Sequence, residues 1–273
     1  MESEGRELSD RAVFGDGGGG SGGEVVVLGG LKAQCVPIKA ALTAVVTICT
    51  CYMTSSVILG HTPLWLPDIT HCARGSPERY FFRIGMSCSC CMLIVVWVLA
   101  ATWAEKVCNP WSKARGCSCH AVSNDKACLY GAVGCLLLIM GSCCIEPGSE
   151  MPWTFHTIGA TGFFLCQIVA ICSVTTNVGQ AISEAQKSGT FPPGVCKSAF
   201  TIKRYCVYFF GVALVLEIVT KVLMISGPVG AILEWLLTIN VMVWVTSLSF
   251  DFKESKIYAA AIEPQSVKTK AAF

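Results

Sequence analysis

The chain has 273 residues, 53% of them hydrophobic and only 14% charged, against the roughly 25% charge of a soluble globular domain. That leaves too little polar surface for a water-soluble enzyme, and a net charge of +2 with scattered basic residues gives nucleic acid no footprint. A bilayer core about 30 Å thick takes about 20 mostly apolar residues per helix, so this length holds six spans and short loops but no large additional domain.

Residues 1–34 open with MESEGRELSDRAV and then GDGGGGSGGE, a charged, glycine-rich stretch expected to be a disordered cytosolic tail. It lacks the basic region followed directly by an apolar run of a cleavable signal peptide, so the first apolar run, 38–60, is expected to stay as an anchor. Further apolar runs at 82–104, 127–145, 155–177, 204–226 and 230–250 complete the set. The link SGPVG (226–230) between the last two predicts a tight hairpin, because Gly227, Pro228 and Gly230 break the helical pattern. The expected architecture is an all-α polytopic membrane protein: a six-transmembrane-helix bundle over 35–254, with a second cytosolic tail at 255–273.

Basic residues are retained on the cytoplasmic side of a membrane. With the N-terminus inside, sixteen of the twenty fall in the tails and the even-numbered connections. The rest are Arg74, Arg79 and Arg83 in the first outer loop and Lys221 in the fifth run. Both termini are therefore expected in the cytosol.

Polar groups gather toward the outer side. The loop HTPLWLPDITHCARGSPERYFFR (61–83) supplies His61, Asp68, His71, Glu78 and its three arginines; Glu146, Glu150 and His156 follow, and Glu234 opens the last run. Ionisable groups in a membrane are costly unless they pair or line a polar cavity, so an outer-face mouth is the expected site. Arg79 and Arg83 lie four apart, on one face of any helix that continues through them, and suit a phosphate or interfacial snorkelling equally. Glu217 and Lys221 have the favourable order for an ion pair; they either fix helix packing or leave Lys221 to grip a lipid headgroup. The outer histidines match no metal-ligand spacing, so no metal site is expected. Nothing resembles a nucleophile with its base or a phosphate-cradling loop, so neither catalytic residues nor a cofactor are assigned.

Most of the eighteen cysteines sit inside apolar runs, as in SCSCCM (87–92), where they act as small hydrophobes rather than as a disulfide framework. Cys108, Cys117 and Cys119, in CNPWSKARGCSCH (108–120), lie beside the membrane on the cytosolic side and are candidates for palmitoylation.

The string LPDITHCARGSPERYFFRIGMS (66–87) resembles the signature of the family of the FGF-receptor-activating protein, the damage-regulated autophagy modulators and yeast Sfk, which also holds the CWH-type N-terminal domain and a Golgi factor acting on GPI anchors after attachment. FHTIGATGFF (155–164) resembles that family's opening of the fourth span, and GAILEWLLTINVMVWVTSLSFDFKE (230–254) its last span. Pro67, Gly75, Pro77, Glu78, Phe82, His156, Gly159, Ala160, Glu234 and Trp235 are the matching positions. The resemblance implies an endomembrane protein of the Golgi or ER, or of the lysosome or plasma membrane. On one branch it takes part in GPI-anchor lipid remodelling without itself being an enzyme, with Arg79, Arg83 and Lys221 meeting phosphate while Glu78, His156 and Glu234 hold the mouth together. On the other it is an autophagy-modulator-like or phosphoinositide-kinase-regulating protein that works through its cytosolic loops. Membrane lipids, as a GPI or phospholipid headgroup, are the implied partners, with membrane proteins as further ones.

Overall fold

The computed structural model describes residues 32–112, 123–145, 150–223 and 228–254. Every regular element among them is helical: α1 (Cys35–Tyr52), running on through a π-helical turn (Met53–Ile58), then α2 (Ile69–Cys72), α3 (Glu78–Ser112), α4 (Asn124–Cys143), α5 (Glu150–Lys187), α6 (Lys197–Val222) and α7 (Pro228–Glu254). Local chemistry starts several of them. Pro37 and Pro228 stand in first turns, where a missing N–H costs no intrahelical bond, and the Ser123 hydroxyl accepts from the Lys126 N–H at 3.3 Å to cap α4.

Among the described residues, five stretches are long and apolar enough to cross a bilayer: Cys35–Ile58, Glu78–Asn109, Asn124–Cys143, Thr154–Lys187 and Pro228–Lys253. The protein is therefore an all-α, multi-pass membrane protein. The fifth expected run, 204–226, falls largely in α6, which is not among those five and carries Lys197, Lys203, Arg204 and Glu217. The glycine-rich N-terminal tail, the hairpin residues 224–227 and the tail beyond Glu254 lie outside the described residues.

Each long helix packs on the next in sequence, and α7 closes on α1, so the six long helices form a ring into which α3 and α5 also pack against each other. Large apolar side chains face outward all round it, among them Leu42, Ile84, Leu136, Leu165, Val212 and Val243. In water such a surface would drive association; in lipid it is the solvated face.

With lipid outside, helices gain little from apolar burial alone and associate through close backbone approach and internal hydrogen bonds. Both occur here. On the α4–α5 seam a Cβ at Gly159 would stand 2.5 Å from the Leu137 carbonyl oxygen and 2.7 Å from the Gly141 Cα. Gly131 lies flat against the Trp97 ring, with no space for a side chain. Trp97 stacks on Trp244 with centroids 5.2 Å apart. Its Nε1 donates to Gln167 Oε1 at 3.1 Å, Gln167 Nε2 donates to the Gly131 carbonyl at 3.1 Å, and Trp244 Nε1 donates to Thr175 Oγ1 at 3.1 Å. Asn177 donates to Asn124 Oδ1 at 2.8 Å, so Gln167 and Asn177 both bridge helices. Asn240 of α7 buries an Oδ1 that accepts no hydrogen bond.

The ring has two distinct ends. At the end opposite α2, Lys203 of α6 forms an ion pair with Asp251 of α7, both fully enclosed. The other Asp251 oxygen accepts from the Cys196 N–H at 2.9 Å, the Lys203 ammonium lies 5.5 Å from the centroid of the Trp103 ring, and Trp103 Nε1 donates to the Gly194 carbonyl at 2.9 Å. One ion pair thus ties α6, α7, the end of α3 and the 188–196 connection together.

Candidate functional site

The segment from 59 to 77 folds back over the other end of the ring through α2. Its backbone is pinned from the helices beneath: Tyr52 Oη donates to the Leu64 carbonyl at 2.8 Å, and Trp235 Nε1 of α7 donates to the Pro67 carbonyl at 3.0 Å. Thr62 exchanges hydrogen bonds with Ser55 at 3.0 Å and Ser56 at 2.7 Å, the two serines that the π-helical turn exposes to it.

Two acid–histidine pairs lie in this cap. His61 Nδ1 donates to Glu78 Oε1 at 2.7 Å, and Glu78, at the first position of α3, is wholly buried with its Oε2 accepting no hydrogen bond. A Cβ at Gly75 would stand 2.7 Å from the His61 ring nitrogen and 3.1 Å from both carboxylate oxygens, so only glycine leaves this pair intact. His71 Nδ1 donates to Asp68 Oδ2 at 2.7 Å, and that bond, more than burial opposes it, raises the imidazole pKa above its ordinary value. Burial likewise pushes the neighbouring Cys72 thiol up to about 11, so it stays protonated and unreactive.

The raised His71 value gives the cap a pH dependence. Its contribution to stability is fully present below the ordinary imidazole value of about 6.5 and is lost as pH rises through the higher folded value. The pair is partly exposed, so the effect is at most about 1 kcal/mol. Asp68→Asn is expected to return the His71 titration, followed by NMR, toward 6.5; an unmoved titration would mean that Asp68 is not its cause.

A third group lies deeper. Thr70 of α2 donates through Oγ1 to Glu234 Oε1 of α7 at 3.0 Å, and the same hydroxyl stands 3.2 Å from His156 Nε2 of α5. His156 Nδ1 in turn donates to the Gly141 carbonyl of α4 at 2.9 Å. Four helices meet in this chain of bonds. It forms the polar end of a cleft whose empty space, about 740 Å³ counted together with the open surroundings, is walled mainly by apolar side chains of α1, α3, α5 and α7, with Ile69 of α2, Leu138 of α4, and Ser89 and Thr238 as further polar residues.

The sequence-predicted residues distribute over this end as follows. His156 and Glu234 are brought together, with Phe82 and Ala160 lining the cleft beside them. Gly159 sits on the α4–α5 seam that sets the height of His156, Gly75 against the His61–Glu78 pair, and Trp235 and Pro67 in their own hydrogen bond. Pro77 immediately precedes α3. Glu78 is not part of the cleft; it serves the pair with His61. Arg79 and Arg83 stand on one face at the start of α3, half-buried, and neither lines the cleft. Arg83 donates to the Ile145 carbonyl at 2.8 Å, and Arg79 lies 5.3 Å from the Tyr80 ring centroid. The Lys221 side chain, Cys117 and Cys119 lie outside the described residues, while Cys108 is half-buried near the far end of α3. Among the described residues no group of three or more His, Cys, Asp or Glu is placed to hold a metal. Sequence reasoning missed Thr70, which carries no charge, and the Lys203–Asp251 pair, whose members lie 48 residues apart.

Residues 32–255, most of the chain, match the family model described as the Frag1/DRAM/Sfk1/Cwh43P N-terminal domain. No curated protein matches the chain, and no solved structure does.

Proposed function

The chain belongs to the Frag1/DRAM/Sfk1/Cwh43P N-terminal domain family, and from that premise we propose that it is a non-catalytic endomembrane protein that receives a membrane lipid at its α2 end. The observation that carries this reading is the cleft: an apolar hollow among four long helices, ending in the Thr70–His156–Glu234 chain, has the two-part chemistry of a lipid. Arg79 and Arg83, just outside it, are suited to a GPI or phospholipid phosphate at the membrane surface. At about 1 kcal/mol per basic residue they bias a headgroup without trapping it, which fits presentation or transfer better than storage.

This reading takes α6 as a sixth span. Tyr208, Val212, Val215, Ile218 and Val219 face outward from it, a surface that lipid covers at no cost, and its charged Lys203 is already paired inside the bundle. Residues 35–254 then form one six-span unit, with 1–34 and 255–273 as cytosolic tails. The basic-residue bias puts the α2 end on the lumenal or outer side. Cys108, with Cys117 and Cys119, would then lie at the cytosolic surface, open to palmitoylation.

GPI-anchor remodelling is the process in which we place the protein. In cells lacking the gene, the surface level and anchor-lipid composition of GPI-linked proteins are expected to change, to be restored by the wild type and not by Thr70→Val. Unchanged anchors in the deletion would sink this assignment. The regulatory reading, as an autophagy modulator or a phosphoinositide-kinase partner, would then take its place.

A further inference from the structure

The polar end of the cleft permits a proton count. His156 Nδ1 faces a carbonyl oxygen, which only accepts, so this nitrogen carries a hydrogen. If Thr70 donates to a Glu234 carboxylate, its hydroxyl hydrogen is spent, and His156 Nε2 must donate to Thr70 for that contact to be a bond. The ring is then an imidazolium facing a carboxylate. If instead Thr70 donates to His156 Nε2, the ring is neutral, and Glu234 must be protonated to keep its contact with Thr70. Moving one hydrogen along each of the two bonds interconverts these arrangements, and in both the three side chains together have no net charge. A neutral ring beside an ionised Glu234 would set two lone pairs against each other.

We infer that the cleft takes a lipid whose acyl chain lies between α1, α3, α5 and α7 and whose head is an uncharged hydroxyl-bearing group of the diacylglycerol class, bonded at Thr70 and Glu234, with His156 holding Thr70 in place. The inference rests on the lipid-handling reading and narrows it. Three features carry it. Ala44, Ile48, Met86, Phe163 and Val241 make a wall that offers an acyl chain only dispersion contacts and dry surface. The described residues lining the cleft include no lysine or arginine, so a phosphate there would be buried without a counter-charge. A chain of donors and acceptors with no net charge suits a hydroxyl, which both donates and accepts. The arginines at the start of α3 hold a surface position apart from this site, so a phosphate contact and the cleft are separable functions.

The test uses the full chain in nanodiscs and two photoactivatable lipids with identical diazirine-bearing acyl chains, a diacylglycerol and a phosphatidic acid. The diacylglycerol probe is expected to label peptides of α1, α5 and α7 about tenfold more strongly than its phosphate counterpart, given the cost of burying an uncompensated charge. Ala160→Phe, which fills the cleft, and Ala41→Trp, which fills its half-exposed rim with less risk to folding, are each expected to remove that labelling while gel filtration stays unchanged. Thr70→Val is expected to erase most of the preference. Equal or stronger labelling by phosphatidic acid would overturn the head-group assignment and leave lipid handling standing. Label that persists in both filled variants would overturn the cleft as the site, and failure of both probes to label would remove the lipid-handling reading along with it.

Discussion

Lys203→Ala and Asp251→Ala are each expected to destabilise the bundle by about 3–5 kcal/mol, the cost of leaving a buried charge without its partner. Both side chains are fully enclosed, so water cannot reach the orphan cheaply. Of the two, Asp251→Ala is expected to be worse, because it also removes the acceptor of the half-buried Cys196 N–H, a bond of 2.9 Å, and losing such a hydrogen bond costs about 0.5–1.5 kcal/mol more. Replacing both at once, as Lys203→Met with Asp251→Leu, removes the charges together and is expected to recover most of the loss but not the Cys196 bond. Thermal unfolding of purified protein in detergent measures all three variants. A change below about 1 kcal/mol in either single variant would show that the pair is hydrated and weak.

The second large effect is expected at Gly159. Its ideal Cβ falls 2.5 Å from the Leu137 carbonyl oxygen and 2.8 Å from the Gly141 nitrogen, both backbone atoms that no rotamer change can move. Alanine is therefore expected to cost about 1–3 kcal/mol by pushing α4 from α5, and leucine more than that. The same separation stretches the 2.9 Å bond from His156 Nδ1 to the Gly141 carbonyl, so cleft labelling is expected to fall alongside stability. Gly211 is the control: nothing lies within 4 Å of its Cβ position, and Gly211→Ala is expected to be neutral or to stabilise by up to about 1 kcal/mol through helix propensity. Equal melting temperatures for Gly159→Leu and the wild type would refute the seam.

How far such positions can be read from sequence depends on the kind of signal they leave. Membrane passage was legible because a span is a composition: about 20 apolar residues announce themselves whatever they pack against. His156, Gly159 and Glu234 were legible as pieces of short strings, yet the bond joining His156 to Glu234 runs through Thr70, 86 residues from the histidine and 164 from the glutamate. A lone threonine in a four-residue helix carries no periodicity and no charge, so nothing in the string marks it. Lys203 and Asp251 fail for a different reason. Near a helix end a lysine reads as an interfacial charge, and only the fold shows that the 188–196 connection and Trp103 close over it. Arg79 and Arg83 were rightly paired by their spacing, but spacing along one helix does not tell how far a side chain stands from a cleft formed by others. The width of the α4–α5 seam was similarly hidden: glycines in an apolar run mark possible close approach, while which backbone approaches is a property of the packed pair.

The closure of α7 on α1 also sets the order in which the molecule can come into existence. Among the described helices, Ala44 and Ile48 come from the first to be synthesised, Glu234 and Val241 from the last, and all four line the same hollow. Until translation has passed α7 the cleft lacks one wall, and the α1 face that α7 covers stands open in the bilayer. Domains fold from the N-terminus as they are made, yet here the cleft is walled on all sides only once α7 has been made. A chain cut short before α7 would carry five of the six long helices described and a cleft open along its α7 side.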